Sequence, residues 1–180
     1  ALYVMVTLMA SQATPVSVFA TSAPAAARPF EADPIWNIVV TFDNGATGLC
    51  LGNIDHGFEY GAWHDISGTE GAFVFDPGQD RPAKVRYCSE RLTRGKWVFP
   101  LAPDCDPDAA WPPDTATPDS GDVFDHQVGE VLDHFLACIK RGTPSPLGFK
   151  ETSVIADLGW AAQMSAAQGR PIALPLDIDR

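Results

Sequence analysis

The sequence contains no Cys-x-x-Cys pair, no Gly-x-Gly-x-x-Gly turn, no Gly-x-Ser-x-Gly elbow and no apolar run approaching the ~20 residues a bilayer-crossing helix needs. Each absence closes off a chemistry. Cys50, Cys88, Cys105 and Cys138 stand too far apart for a zinc knuckle or a dithiol motif, and read as the reduced thiols of a cytoplasmic protein. Without the serine elbow a nucleophilic triad has no local support. Without the glycine turn no helix N-terminus is prepared for a pyrophosphate. Positive charge is scarce as well. Twelve Lys and Arg against 23 Asp and Glu give a net charge of −11, whose field repels phosphate backbones and anionic surfaces, so neither nucleic acid nor a membrane is an expected partner.

What is present is an ordinary globular composition, 46% apolar and 19% charged, in 180 residues, enough for one domain with a substantial core. Residues 1–10 followed by Ser11-Gln12-Ala13 imitate a secretory signal but lack its basic start, and read instead as an amphipathic or buried helix. Residues 14–21 (TPVSVFAT) and 35–42 (IWNIVVTF) are β-branched and aromatic and predict strands, the second closed by Asp43-Asn44-Gly45 as a tight hairpin into 46–55. Residues 60–67 and 72–76 form another hairpin around Gly68-Thr69-Glu70-Gly71, followed by strands at 83–88 and 96–99. Short connections between consecutive strands favour an antiparallel meander.

Residues 100–122 hold six prolines and six aspartates, which predicts a loop without regular structure, anchored by Trp111. From 122 onward the period becomes helical. Phe124, Val128, Val131, Leu132, Phe135 and Ile139 share one stripe, with Gly142 just past its end. A second helix starts near Lys150 with Val154, Ile155, Leu158, Ala161, Ala162 and Ser165 on its buried face, and Gly159, Ala162 and Ala166 allowing close approach. Gly169 ends it, and residues 170–175 return as a short strand. Strands first and helices last predict an α+β fold: a large, predominantly antiparallel open sheet with helices packed on one face.

Two segments resemble the C-terminal domain of the Gfo/Idh/MocA oxidoreductases. One is Phe42-Asp43-Asn44-Gly45-Ala46 with Ile66-Ser67-Gly68-Thr69-Glu70-Gly71, similar to an F-x-N-G-A hairpin and an I-x-G-T-x-G turn. The other runs from Phe135 through Ala137, Ile139, Gly142 and Pro144 to Ala162, Ser165, Ala166, Gly169, Pro171, Leu174 and Pro175. The resemblance implies that residues 1–13 are the remnant of an inter-domain helix and 14–180 a substrate-binding and oligomerisation domain. It also implies that the family's nucleotide-binding half, with its lysine and histidine for proton transfer, lies outside this chain. NAD or NADP would serve the intact enzyme, and a carbohydrate-like substrate would be its small-molecule partner. No residue here is assigned to catalysis, cofactor or metal, and the fragment by itself is expected to be inactive. A non-catalytic scaffold module of the same fold, or an unrelated carbohydrate-binding α+β domain, are the alternative readings.

Three residues are candidates for substrate binding: Trp63, able to stack on a sugar ring, and His64 and His126, able to hydrogen-bond hydroxyls. Asp55, His56, Glu59, His64 and Asp65 imitate a metal cluster, but alternation along a strand sends neighbours to opposite faces. Asp104, Asp106 and Asp108 alternate like a calcium loop, without its glycine and distant glutamate. In 35–42 both faces are apolar, Ile35 and Val39 against Trp36, Ile38, Val40 and Phe42. Helices cover one face only, so a homo-oligomer through the open sheet face is expected.

Overall fold

The computed structural model describes residues 2–9, 12–25, 29–55, 61–80, 82–112, 128–145 and 148–177. They divide into two compact units, Ala1–Gly57 with Phe135–Arg180, and Phe58–His134.

The first unit is built on a four-stranded antiparallel sheet in the order β3-β2-β1-β7, with β1 Pro15–Ala23, β2 Ile35–Phe42, β3 Thr47–Asn53 and β7 Ile172–Ala173. The β2–β3 hairpin turns where the sequence predicts. Gly45 takes φ +84, which a side chain would resist, and Asn44 Oδ1 accepts the Ala46 N–H at 2.9 Å. Helix α5, Phe149–Gln168, lies on the sheet and ends at Gly169, whose φ of +64 lets its N–H bond back to the Ser165 carbonyl.

Register decides which residues are buried. Val18, Ala20, Ile38, Val40 and Phe42 meet Leu158, Ala161 and Ala162 of α5 and Ile172 of β7 in one core. The predicted buried face of α5 is therefore correct at its centre. Gly159 is not at a close approach, since a Cβ there would meet nothing within 4 Å. Helix α1, Leu2–Met9, packs Leu2, Met5, Val6 and Met9 against the same core, with Met5 over Gly48 of β3.

One polar contact ties the layers. Strand β7 pairs with β1 only at Ser17 and Val18, so beyond that point the β1 edge has no strand beside it among the described residues. There the fully buried Ser165 substitutes for the missing strand: its Oγ accepts the Ala20 N–H at 2.9 Å and donates to the Arg170 carbonyl at 2.7 Å.

The second unit carries an antiparallel three-stranded sheet, β4 His64–Gly68, β5 Gly71–Phe75 and β6 Val85–Ser89. All the strands among the described residues are thus antiparallel, as expected, but they fall into two sheets rather than a single large one. Residues 96–99 contribute one bridge, Val98 to Tyr87, instead of a full strand. Helix α2, Glu90–Thr93, was not anticipated; it is capped by Ser89 Oγ and followed by Arg94 and Gly95 at positive φ.

The proline-rich segment is also less irregular than predicted. Pro107–Ala110 forms a helical turn, α3, because proline suits the first helical position and Asp106 Oδ1 caps it through the Asp108 N–H. The anchor is the backbone beside Trp111: Tyr87 Oη donates to the Ala110 carbonyl at 2.6 Å, and both residues are buried. Helix α4, Val128–Arg141, has the predicted period, but among the described residues its stripe finds no cover. Val131, Leu132, Phe135, Leu136 and Ile139 are all at least half exposed.

Candidate functional site

Trp63, just before β4, and His64, its first residue, are held on opposite sides, because Trp63 bonds to Asp76 and His64 stacks on Phe75, neighbours whose side chains alternate. His64 pairs with Phe75, which pairs with Val85, so these three share a face with Ile66, Phe73 and Tyr87. The imidazole stacks on the Phe75 ring with centroids 6.0 Å apart, and Lys84 Nζ lies 6.0 Å from the same ring. Burial holds the His64 pKa below its ordinary value, because the imidazolium loses hydration there. A neutral ring is the result at pH 7, and it offers a hydroxyl group one donor and one acceptor nitrogen. Burial also raises the Tyr87 phenol, with the Cys105 thiol adding to the effect.

On the other side, Trp63 is 65% exposed, and its Nε1–H donates to Asp76 Oδ1 at 2.9 Å. Asp76 Oδ1 also accepts the Gly78 N–H, so the carboxylate that orients the indole is itself fixed by the turn after β5. Neither Phe75 nor Asp76 stood out in the sequence; counting strand residues in twos from the Gly68–Gly71 turn would have placed both beside the Trp63–His64 pair.

His126, His56 and Glu59 lie outside the described residues. Asp55 is buried, and its N–H donates to Asn53 Oδ1. Among the described residues no three His, Cys, Asp or Glu side chains converge as a metal site, and of the alternating acids Asp106 is occupied as a helix cap. None of the four cysteines is in a disulfide, and no helix among the described residues is long and apolar enough to cross a membrane.

A helix-backed antiparallel sheet together with a second small sheet defines an α+β domain of the kind found within nicotinamide-dependent sugar oxidoreductases. The structure matches the aldose-aldose oxidoreductase of Caulobacter crescentus complexed with glycerol over 96% of this chain and 45% of that one, with TM-score 0.62 and 21% identity. It matches an NAD-binding oxidoreductase from Klebsiella pneumoniae over 98% and 48%, with TM-score 0.65 and 22% identity. A levoglucosan dehydrogenase in complex with NADH and L-sorbose matches over 89% and 45%, with TM-score 0.63 and 21% identity. No family profile and no curated protein sequence matches the chain. The chain therefore spans under half the length of these solved structures, and its fold is that of the C-terminal part of Gfo/Idh/MocA-type oxidoreductases.

Proposed function

We propose that this chain is the C-terminal substrate-binding and oligomerisation domain of an NAD(P)-dependent oxidoreductase acting on a sugar, polyol or related hydroxy compound in the cytoplasm. The observation that carries the reading is the coverage: nearly all of this chain corresponds to less than half of each oxidoreductase it matches. In the intact enzyme NAD or NADP would accept or supply the hydride, and the nucleotide, the lysine and the histidine belong to the other half. This chain's share is to hold the sugar. Neutral His64 donates to one hydroxyl and accepts from another, while Trp63 presents its indole on the other side, out of reach of a ring held by His64. His126, just ahead of α4 in sequence, is the third candidate.

Nuclear magnetic resonance on the 180-residue chain tests this reading. Saturating L-sorbose should shift the His64 imidazole signals, and the His64 titration midpoint should lie below the ordinary ~6.5. Sugar binding should persist as pH falls to that midpoint and weaken below it, where the ring loses its acceptor nitrogen. NADH and NADPH should give no saturable heat in calorimetry. Saturable nucleotide binding at one site per chain would overturn the division of labour, and sugar-insensitive His64 signals would remove that residue from the site.

The oligomerisation part rests on the uncovered face of the four-stranded sheet. Phe19, Val39 and Leu49 form a cross-strand row there, flanked by Ile35 and Leu51, and Leu49 and Leu51 are 62% and 66% exposed. Trp36 is not on this face; it packs toward the core. A second copy laid face to face would cover the row. Sedimentation of the unmutated chain should give a dimer or larger species, and Leu49→Asp should dissociate it. A monomer at high protein concentration would exclude this interface.

A further inference from the structure

We propose that the face of the β4-β5-β6 sheet opposite His64 binds an extended saccharide, several rings long. The inference rests on the reading above only for the chemical class of the ligand; the surface is a different one.

Register builds this face from Asp65, Val74 and Arg86 in one row, flanked by Trp63 and Asp76 at one end and Trp97 at the other. The two faces of this sheet differ. On the His64 side Val85 and Tyr87 are buried, and Tyr87 is bonded to the Ala110 carbonyl. On the Asp65 side both indoles remain in water, Trp63 at 65% and Trp97 at 46% exposure. Each is nevertheless held in place. Trp63 is fixed through Nε1 by Asp76, and the Arg86 guanidinium lies 5.9 Å from the Trp97 ring centroid. Arg86 is itself tied down, since Nη1 donates to the Ala83 carbonyl at 3.0 Å.

Between the indoles the floor is small and the edges are charged. Asp65 and Arg86 stand two strand spacings apart, about 10 Å at the backbone, with Val74 between them. A sugar ring on Val74 would give hydroxyl hydrogens to the carboxylate and accept hydrogen bonds from the guanidinium. The indoles would take the apolar faces of neighbouring rings. Trp97 lies beside β6, opposite Cys88, so it is three strand spacings across and about four residues along from Trp63, a diagonal of roughly 20 Å. One ring cannot span that distance, and a chain of rings can. A protein partner fits less well, because interface centres are depleted of charge and this face has Asp65 and Arg86 at its middle. The apolar row on the four-stranded sheet has the opposite character.

The test uses the 180-residue chain with cellotetraose, maltotetraose and glucose, followed by tryptophan fluorescence. At least one tetrasaccharide should bind saturably and about tenfold or more tighter than glucose, equivalent to ~1.4 kcal/mol. Trp97→Ala should abolish that difference, Trp97→Phe should keep most of it, and neither should alter the response of His64 to L-sorbose. Equal affinity for glucose and both tetrasaccharides, absence of tetrasaccharide binding, or binding untouched by Trp97→Ala would overturn the proposal. So would a change of oligomeric state in Trp97→Ala without any saccharide binding, which would make the face a protein interface. A His64 response to L-sorbose without tetrasaccharide binding rejects this surface and leaves the proposed function standing; the converse rejects the His64 site alone.

Discussion

Ser165→Ala should lower the unfolding free energy by about 2–4 kcal/mol, read from the urea midpoint, because it strands two buried groups at once. The Ala20 N–H has no strand beyond β7 to turn to, and the Arg170 carbonyl loses the donor that fixes the chain after α5. Ser165 is fully buried and Ala20 nearly so, leaving little room for water to take over. Within the Ala162-x-x-Ser165-Ala166 run the serine is thus a structural residue, standing in for a strand that is too short. A loss within ~0.5 kcal/mol, the range of ordinary surface substitutions, would show that the bond is dispensable.

Two glycine-to-alanine substitutions should have opposite signs. At Gly71, the first residue of β5, a Cβ would sit 2.2 Å from the Cys88 carbonyl oxygen and 3.0 Å from the Ser89 Cα. Both neighbours are backbone, so relief requires opening the β5–β6 pairing at Gly71–Ser89 and Ala72–Cys88. The expected cost is about 3 kcal/mol or more, the upper range of overpacking, confined to the unit that holds Trp63 and His64. At Gly52 of β3 a Cβ would meet nothing within 4 Å, and φ is not positive. Alanine there should be neutral or stabilise by ~0.4–1 kcal/mol through the unfolded chain. Thermal unfolding of both variants distinguishes local crowding from a general intolerance of strand alanines; equal shifts in the same direction would refute the argument.

Much of the local structure was legible. The β-branched and aromatic run 35–42 marks a strand with the observed limits, Gly45 marks its turn, and Gly142 and Gly169 mark the ends of α4 and α5 through their positive φ. The misreadings share one cause, which is that composition does not say where a chain is held. Prolines predict a loop without regular structure over 100–122, yet in its described part, 100–112, Pro107 at a helix start and a tyrosine hydroxyl reaching the Ala110 carbonyl impose order. The stripe on α4 predicts burial, and among the described residues it finds no cover. Trp63 and His64 are visible as candidates from residue type alone, while Asp76 and Phe75, which set their orientation, come from the next strand.

The sequence alone determined the kinds of element, their order, the caps and turns, the acidic field and the motif order that resembles an oxidoreductase domain. These depend on φ preferences, side-chain period and composition, which act over a few residues or on the sum of charges. Tertiary structure decided that the strands form two sheets, that Trp36, Ile38, Val40 and Phe42 are the covered set, and that Ser165 completes the β1 edge. It also decided that Trp63 and His64 look to opposite sides. Those outcomes depend on register between strands and on hydrogen bonds such as Ser165 to Ala20, 145 residues apart, and no local preference specifies a partner at that separation.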